Sequence, residues 1–365
     1  MMAQIQRLGD TIRFGTPPAL TAWAAVAGKK ESEGPLAQAF DELITDTHAG
    51  QKTWEAAESV YQQRALEYLL EKAELPLEAV ECVFGGDLEN QCTGTSYTMR
   101  RLDVPFVGLY GACSTMAESL GVAACFVAGG MLRRAIAMTS SHFCTAERQY
   151  RTPLEYGGQR TPTAQWTATC AGTCLLECGG DAAAYVHAVT FGRVQDYGVT
   201  DINNMGAAMA PAAASTIRRY FLDTGADPDA FDAIYTGDLG LVGSELLLQL
   251  LEEQGLRLKN HKDCGLLLFD REKQTVGAGG SGCGCSAGVL CSHILPGLAK
   301  KELRRVLLVS TGALMSQIVW QQGESIPGVA HLVELCAQKV PDDRAGTLNY
   351  GEIKETGSGR NGGVV

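Results

Sequence analysis

A cysteine at the bend between a predicted strand and a predicted helix is the first residue that could do covalent chemistry. Cys113 lies in the stretch FVGLYGACSTMAESLGVAA (106–124), where an apolar strand runs into a helix of small residues. The free N–H groups at a helix N-terminus favour a thiolate, which is the reactive form of cysteine. The chain contains 13 cysteines, and buried cysteines commonly act as small hydrophobic residues. Cys113 is therefore either a nucleophile that carries an acyl group or one more core residue.

The elements that would position Cys113 occur twice along the chain. Segment 111–141 aligns without a gap on segment 282–312, and each has a Gly-rich turn, a helix, Leu-Arg-Arg and a buried strand. Upstream of each copy, an apolar strand is followed by Gly-Asp-Leu, which places Asp87 and Asp238 in equivalent positions. A repeat of this length indicates two structurally similar halves.

The predicted strands indicate the fold class. RAIAMTSS, CGLLLFD and RVLLVSTG are apolar throughout, which is typical of strands buried on both faces by helices. We therefore predict an α/β fold of two pseudo-symmetric layered halves, residues 1–180 and 181–338, followed by a flexible Gly-rich tail, 339–365. The second half is expected to carry one extra helix, at 244–255. The natural place for a site is the seam between the halves.

Composition excludes several classes of protein. The net charge of −11 argues against nucleic-acid binding, because no basic surface is implied. No apolar stretch reaches the length of a membrane span, and the N-terminus lacks the apolar core of a signal peptide. The cysteine pairs lack the spacing and the histidines of a zinc site, so we expect no metal site. Without secretion, disulfide bonds are not expected.

Several longer motifs resemble one known family. The stretches GKKESEGPL, YGACSTMAES, SSHFCTAERQYR, GDLGLVGSELL and STGALMSQIVWQQGESIPGVAHLVEL resemble the stage V sporulation protein AD family, within the thiolase and ketoacyl-synthase superfamily. The resemblance covers roughly residues 14–335. It implies a thiolase-like fold and a protein of spore-forming bacteria that binds dipicolinic acid, a small aromatic dicarboxylate, or its calcium chelate.

The resemblance also implies partners and a location. The family belongs to an apparatus that moves dipicolinic acid into the developing spore and out of it at germination. We therefore expect a peripheral protein at the cytoplasmic face of the spore inner membrane, held there by other protein subunits of the transport assembly. A homodimer through the edge strand of the first-half sheet is expected from the superfamily.

The resemblance argues against catalysis, because the partners that Cys113 would need are missing. Condensing enzymes of the superfamily take histidine or asparagine from two loops of the second half. Here the first loop offers Thr236 and Asp238, and the second offers Ser281 and Cys283. We therefore predict a non-enzymatic binding protein without a cofactor, with calcium present only as the dipicolinate chelate. An acyltransferase that uses Cys113 and a scaffold with a vestigial pocket remain the alternatives.

The candidate ligand-binding residues lie near the two Gly-rich turns and in SSHFCTAERQYR. Two helix N-termini, one from each half, could face the two carboxylates of one ligand. His142 follows a buried strand that is expected to open toward Cys113, and Arg148 or Arg151 could supply a guanidinium. The two equivalent aspartates either hold backbone N–H groups or meet the calcium of a chelate. The predicted ligand-binding set is Cys113, Ser114, Asp87, Ser141, His142, Arg148, Arg151, Asp238, Ser281, Gly282 and Cys283.

Overall fold

The computed structural model describes residues 5–151 and 160–339. The predicted flexible tail, apart from its first residue, lies outside the described residues. The strands are β1 (Ile5–Leu8), β2 (Thr11–Phe14), β3 (Ala19–Gly28), β4 (Glu42–Ile44), β5 (Cys82–Gly86), β6 (Phe106–Gly108), β7 (Arg134–Ser141), β8 (Trp166–Thr167), β9 (Cys170–Glu177), β10 (Ala184–Thr190), β11 (Ala233–Thr236), β12 (His261–Asp263), β13 (Gly280–Ser281), β14 (Arg305–Ala313) and β15 (Gly328–Cys336).

Ten α-helices lie in the described part of the chain. They are α1 (Trp54–Ala73), α2 (Thr93–Met99), α3 (Thr115–Ala128), α4 (Phe143–Tyr150), α5 (Met205–Thr224), α6 (Gly240–Glu253), α7 (Cys264–Leu268), α8 (Cys283–Val289), α9 (Leu295–Ala299) and α10 (Gln317–Gln321). A π-helical turn, Leu290–Ile294, joins α8 to α9. No helix of residues 5–151 and 160–339 combines the length and hydrophobicity that a bilayer crossing requires.

The sheet repeats one strand order in each half. Its path runs β12-β11-β14-β15-β10-β3-β9-β7-β5-β6, so that each half reads 3-2-4-5-1 when its own five strands are numbered along the chain. The two halves meet at β3 and β10, which pair at only two positions, Leu20 with Ala184 and Ala19 with Tyr185. The predicted α/β fold of two pseudo-symmetric halves is confirmed. The predicted boundary between residues 180 and 181 falls in the connection between β9 and β10.

Two central helices, α3 and α8, lie between the sheets of the two halves. α3 packs on β5 and β7 of the first half and on β14 and β15 of the second, and α8 contacts β7, β9 and β14. Every residue of α8 is buried, and its small side chains allow close approach of backbones. α1 and α2 cover the outer face of the first half, while α5 and α6 cover that of the second.

Two sequence-based assignments are wrong. CGLLLFD forms helix α7 rather than a strand, because the Asp263 side chain accepts the Leu266 N–H and caps a helical turn. The apolar run is short, and a buried strand and a buried helix look alike at that length. The helix at 244–255 is not an addition, since α6 occupies the topological place that the shorter α2 occupies in the first half.

The seam between the halves has no room for an added methyl group at Gly312. A Cβ built on Gly312 of β14 would lie 2.2 Å from the carbonyl oxygen of Gly111 in the turn before α3. Backbone atoms cannot yield as a flexible side chain can. We expect Gly312→Ala to lower the free energy of unfolding by about 1–3 kcal/mol, measured by urea denaturation.

Gly108→Ala is the matched control for this prediction. Gly108 also lies in a strand, but its added Cβ would meet only the Phe106 ring, at 3.5 Å. That distance is ordinary van der Waals contact, so the control is expected to keep the stability of the parent protein. Equal stabilities of the two variants would show that the backbone around Gly312 moves at little cost to accept the methyl group.

Candidate functional site

A small cavity lies at the seam between the two halves, and Cys113 is in its wall. The chain reaches Cys113 through Ala112, whose φ of +51° makes a tight turn between β6 and α3. The cavity volume is about 60 Å³. Its lining comes from both halves: Leu88, Ala112, Cys113, Ala146, Glu147, Tyr150, Arg151, Thr167, Met205, Met209, Ser281, Ala313 and Met315.

The carboxylate of Asp238 lies near Cys113. One of its carboxylate oxygens accepts the Gly282 N–H at 2.8 Å and the Ser281 hydroxyl at 3.2 Å, and the other accepts the Thr311 hydroxyl at 2.7 Å. Burial raises the pKa of Asp238 to about 6, and these donors offset part of that rise. Asp238 thus ties the turn before α8 to β14.

The surroundings of the Cys113 thiol oppose its ionisation. Burial raises the pKa of Cys113 well above the usual value for a thiol, and the carboxylate of Asp238 and the neighbouring Cys283 raise it further. These causes favour the protonated thiol, whereas a nucleophile requires the thiolate. At neutral pH, Cys113 is therefore a protonated wall residue.

The two Gly-rich turns do not present free N–H groups in the way that the sequence predicted. Gly282 and Ser281 already donate to Asp238. In the first half, the Ser114 N–H and hydroxyl both donate to the Gly111 carbonyl, at 3.0 and 2.7 Å. Of these predicted groups, only Cys113 and Ser281 line the cavity. The predicted two-helix anion site is therefore corrected for Gly282 and Ser114, whose N–H groups donate to internal acceptors and which do not line the cavity.

Ser141 and Cys283 lie behind the cavity wall. The Ser141 hydroxyl donates to the Ala168 carbonyl at 2.7 Å and accepts the Gly284 N–H at 3.1 Å. The Cys283 thiol donates to the Ser140 carbonyl at 2.9 Å, and the side chain is fully buried. Both residues connect β7 to α8 rather than lining the cavity, which corrects their predicted placement.

Asp87 belongs to a buried carboxyl cluster that supports the first-half site loop. It accepts the Thr95 N–H and hydroxyl, both at 2.7 Å, and the Glu89 N–H at 2.8 Å. Glu58 lies beside it and accepts from Ser140 at 2.8 Å. The side chain of Glu89 is the third carboxyl group of the cluster. Burial raises the pKa of Asp87, Glu58 and Glu89, and repulsion by the neighbouring carboxylates raises the pKa of Glu58 and Glu89 further. Asp87 does not line the cavity; it fixes the loop after β5.

Of the two candidate arginines, the structure places only Arg151 in the cavity wall. Its guanidinium lies 3.6 Å from the carboxylate of Glu147, which also pairs with Arg160. Arg148 points away, pairs with Glu55 and lies over the ring of Trp54. The prediction that Arg148 lies at the site is therefore wrong. The helix α4 is amphipathic, and Arg148 is on the exposed face of that helix.

His142 also lies outside the cavity of Cys113. Its Nδ1 accepts the Cys144 N–H and caps α4, and its Nε2 bonds the Thr47 carbonyl at 2.9 Å. Burial lowers the pKa of His142 to about 4, so the ring is neutral. The ring lines a separate cavity on the other side of α4. The expectation that His142 faces Cys113 is corrected, since its ring turns toward the loop that contains Thr47.

Sequence reasoning missed the acidic and apolar members of the site. Glu147 precedes Arg151 by four residues in the motif SSHFCTAERQYR, and that spacing is a usable signal for an ion pair on one helix face. Tyr150, Met205 and Met315 carry no such signal, because distant parts of the chain bring them together. No group of three His, Cys, Asp or Glu side chains within the described ranges is placed to hold a metal ion.

The fold and the position of Cys113 define a class of protein with the thiolase-like fold. A variant of OleA from Xanthomonas campestris has a TM-score of 0.58 at 10% identity, covering 92% of this chain and 100% of that chain. 3-Oxoacyl-(acyl carrier protein) synthase III from Aquifex aeolicus VF5 has a TM-score of 0.53 at 9% identity, covering 87% and 99%. At these identities the likeness concerns the fold alone.

Sequence comparison gives the family. The model of the family "Stage V sporulation protein AD (SpoVAD)" matches residues 9–336. A curated protein of that name from Bacillus subtilis (strain 168) is 44% identical over 320 residues, which cover 87% of this chain and 94% of that protein. The chain belongs to the stage V sporulation protein AD family, as its motifs predicted.

The protonated state of Cys113 leads to a testable expectation. Asp238→Asn removes the neighbouring negative charge and keeps an oxygen acceptor for Gly282. We expect iodoacetamide to alkylate Cys113 faster in this variant, by about tenfold if the pKa of the thiol falls by one unit. Peptide mass spectrometry would measure the rate, with the exposed Cys178 as internal control. Unchanged alkylation of Cys113 in a folded variant would contradict the assigned role of Asp238.

Buried carboxyl groups make a second expectation, for the pH dependence of stability. Burial raises the pKa of Glu31 and of Asp263 to about 7. A carboxyl group whose pKa is higher in the folded state stabilises that state below its unfolded pKa, near 4. That contribution is lost as the pH rises to about 7. We therefore expect the urea midpoint to fall between pH 4.5 and pH 7.5.

Glu31→Gln tests the assignment. The amide can keep the 3.0 Å bond from the Thr169 N–H but cannot ionise, so the pH dependence of the urea midpoint is expected to become shallower. Glu33→Gln is the matched control, because Glu33 is exposed two residues away. Stability that rises with pH in the parent protein, or equal slopes in parent and Glu31→Gln, would refute the expectation.

Proposed function

We propose that this protein binds dipicolinate, or its calcium chelate, without chemical change, as the peripheral component of a spore membrane transport assembly. Membership of the stage V sporulation protein AD family supports the link to sporulation. The protonated Cys113 beside Asp238 supports binding over acyl transfer. The proposed location is the cytoplasmic face of the spore inner membrane, with other protein subunits of the assembly as partners.

The observation that carries the proposal is a largely buried guanidinium, that of Arg151, in the cavity wall, whose ion-pair partner is shared with an arginine outside the lining. Arg151 and Arg160 share the single carboxylate of Glu147. Burial lowers the pKa of Arg151, and Glu147 offsets only part of this effect. A ligand carboxylate would supply a further counter-charge that stabilises the charged form of Arg151. A guanidinium can bind such a carboxylate through two parallel hydrogen bonds.

The ligand needs more space than the inner cavity offers. About 60 Å³ holds a few water molecules, whereas sites for small molecules span about 300–1,000 Å³. An outer cavity of about 510 Å³ adjoins it, and Tyr150 and Met315 line both. The Tyr150 hydroxyl donates to the Leu88 carbonyl at 2.6 Å and contacts the Tyr110 hydroxyl at 2.5 Å. In our proposal these two side chains move aside and the ligand occupies the joined space.

The carboxylates of the cavity fit the chelate better than the free dianion. Glu147 lines the cavity, and Asp238 lies behind Ser281 and Cys113. Either would repel a free dianion, but carboxylate oxygens are the ligands that calcium prefers. In our proposal, calcium enters with dipicolinate rather than occupying the protein alone.

The proposal includes a homodimer. β6 lies at one end of the sheet path, so one of its edges carries unpaired backbone groups, and Val107 is exposed on it. An exposed edge strand is a template for pairing with a second chain.

Isothermal titration with dipicolinate, with and without calcium, tests the binding function. Arg151→Gln removes the guanidinium of the cavity wall, and we expect at least about tenfold weaker binding, because a charge-assisted hydrogen bond is lost. Arg148→Gln is the matched control, since it removes the same charge three residues away and outside the cavity. Cys113→Ala is expected to keep saturable binding without any covalent mass change.

Two results would contradict the proposal. The absence of heat for the parent protein in both titrations would exclude dipicolinate binding by the isolated chain. Equal losses in Arg151→Gln and Arg148→Gln would show that only net charge matters and that the cavity is not the site.

Acyl transfer is the second candidate function, and the fold favours it. The solved structures of similar fold include a tetronic acid condensing enzyme, at 16% identity and a TM-score of 0.55. Cys113 stands at the turn before a buried helix, where a nucleophile would be expected. Incubation with acyl thioesters followed by intact-mass measurement tests this function. A covalent acyl adduct that disappears in Cys113→Ala would favour the enzyme over the binding protein.

A further inference from the structure

A second cavity, of about 330 Å³, lies on the other side of the wall that α4 and β8 form beside Cys113. We call it the lysine pocket. The side chains of β8 alternate, so Trp166 lines the lysine pocket and Thr167 lines the cavity of Cys113. The two cavities share no lining residue. The lysine pocket is lined by Lys29, Lys30, Glu33, Thr47, Tyr61, His142, Phe143, Cys144, Trp166 and Thr169.

The size of the lysine pocket suits a small molecule, and its charge suits an anion. Its volume falls within the range of about 300–1,000 Å³ that small-molecule sites occupy. Lys29 and Lys30 contribute two ammonium groups, and neither lies within 4.0 Å of a carboxylate oxygen of the described residues. Glu33 is the one carboxylate of the lining, and His142 is neutral. The lining therefore carries one excess positive charge.

An aromatic surface lies next to these ammonium groups. The rings of Phe143 and Trp166 are stacked, with centroids 3.9 Å apart and an angle of 17° between the planes. The Lys30 ammonium lies 5.1 Å from the centroid of the Trp166 ring. A flat ring that displaces this ammonium from Trp166 can stack there, while a carboxylate attached to the ring meets the lysine.

The loop that supplies the lysines is present only in the first half. Segment 24–50, which contains Lys29, Lys30 and Thr47, has no copy in the second half of the sequence. It leaves β3 and returns as β4, and the bond from His142 to the Thr47 carbonyl fixes it against α4. The lysine pocket is therefore an addition to the repeated frame rather than part of it.

We propose that the lysine pocket is a second binding site, which takes a small aromatic carboxylate. The ring lies against Trp166 and the carboxylate lies between the two lysines. Since the two cavities share no residue, this site goes beyond the proposed function and does not depend on it. Dipicolinate belongs to the required chemical class and is the first probe.

Calorimetric titration of the full chain tests the site with three probes: dipicolinate, benzene-1,3-dicarboxylate and inorganic phosphate. The double variant Lys29→Gln, Lys30→Gln removes both ammonium groups. We expect it to bind the two aromatic dicarboxylates at least about tenfold more weakly at this site, because two charge-assisted contacts are lost. Lys300→Gln, Lys301→Gln is the matched control, since these two lysines are adjacent and exposed.

The probes separate an aromatic carboxylate site from a general anion site. Phosphate binding as tight as that of the dicarboxylates would overturn the assignment to aromatic ligands. Trp166→Leu is expected to weaken binding of both dicarboxylates and to leave any phosphate heat unchanged. Unchanged dicarboxylate affinity in the double lysine variant would overturn the site itself.

Arg151→Gln separates this inference from the proposed function. Losses in both the Arg151 variant and the double lysine variant, with two ligands bound per chain in the parent, would support two sites. A loss in the Arg151 variant alone would overturn the lysine pocket and leave the proposed function intact. A loss in the double lysine variant alone would retain this site and remove the cavity of Cys113 as a ligand site. No binding of either dicarboxylate would overturn both.

Discussion

The bonds that Asp238 accepts hold the centre of the molecule together. Its carboxylate receives the Gly282 N–H from the turn before α8 and the Thr311 hydroxyl from β14. A buried carboxylate is costly unless donors surround it, so the turn and the strand are stabilised in the one arrangement that supplies those donors. The Ser281 hydroxyl completes the set of donors, and the negative charge of Asp238 raises the pKa of the nearby Cys113 thiol. The geometry of the seam and the chemical state of Cys113 therefore have a common cause.

The same device is used at other strand ends. Asp263, the last residue of β12, accepts the N–H groups of Leu239 and Gly240, and Asp87, directly after β5, accepts the N–H group of Thr95. In each case a carboxyl group replaces the water that would otherwise solvate the start of a helix or loop. Buried carboxyl groups thus fix the site loops by accepting hydrogen bonds from their backbone N–H groups. The guanidinium groups near the site come from Arg151, directly after α4, and from Arg160, before β8, while Lys29 and Lys30 come from the loop directly after β3.

The chain shares its fold with solved condensing enzymes, and the surroundings of its Cys113 raise the pKa of the thiol. The fold alone supplies the turn before α3 and the buried helix. Activation depends on the charge of the neighbouring residue, because a carboxylate raises the pKa of a thiol and a cation lowers it. Here burial and the carboxylate of Asp238 both act to raise the pKa of Cys113 at the strand-to-helix turn.

Sequence patterns predicted the fold of two repeated halves, but they did not predict the contacts of the site residues. The apolar strands and the repeated Gly-Asp-Leu predicted two layered halves, because those signals are local and repeat along the chain. The ring of His142 and the donors of Gly282 could not be placed, since their partners, Thr47 and Asp238, are distant in sequence. A sequence pattern can indicate where a hydrogen-bond donor lies, but it does not identify the acceptor to which that donor binds in the folded chain.

One residue, Arg160, contacts side chains that line both the cavity of Cys113 and the lysine pocket. Arg160 pairs with Glu147, which lines the cavity of Cys113, and it lies over the rings of Phe143 and Trp166, which line the lysine pocket. A carboxylate bound to Arg151 competes with Glu147, and Glu147 is the counter-ion of Arg160. A ligand in the lysine pocket would lie beside the same two rings over which Arg160 is placed. Charge placed in either cavity therefore acts on the same guanidinium, although the cavities have no lining residue in common.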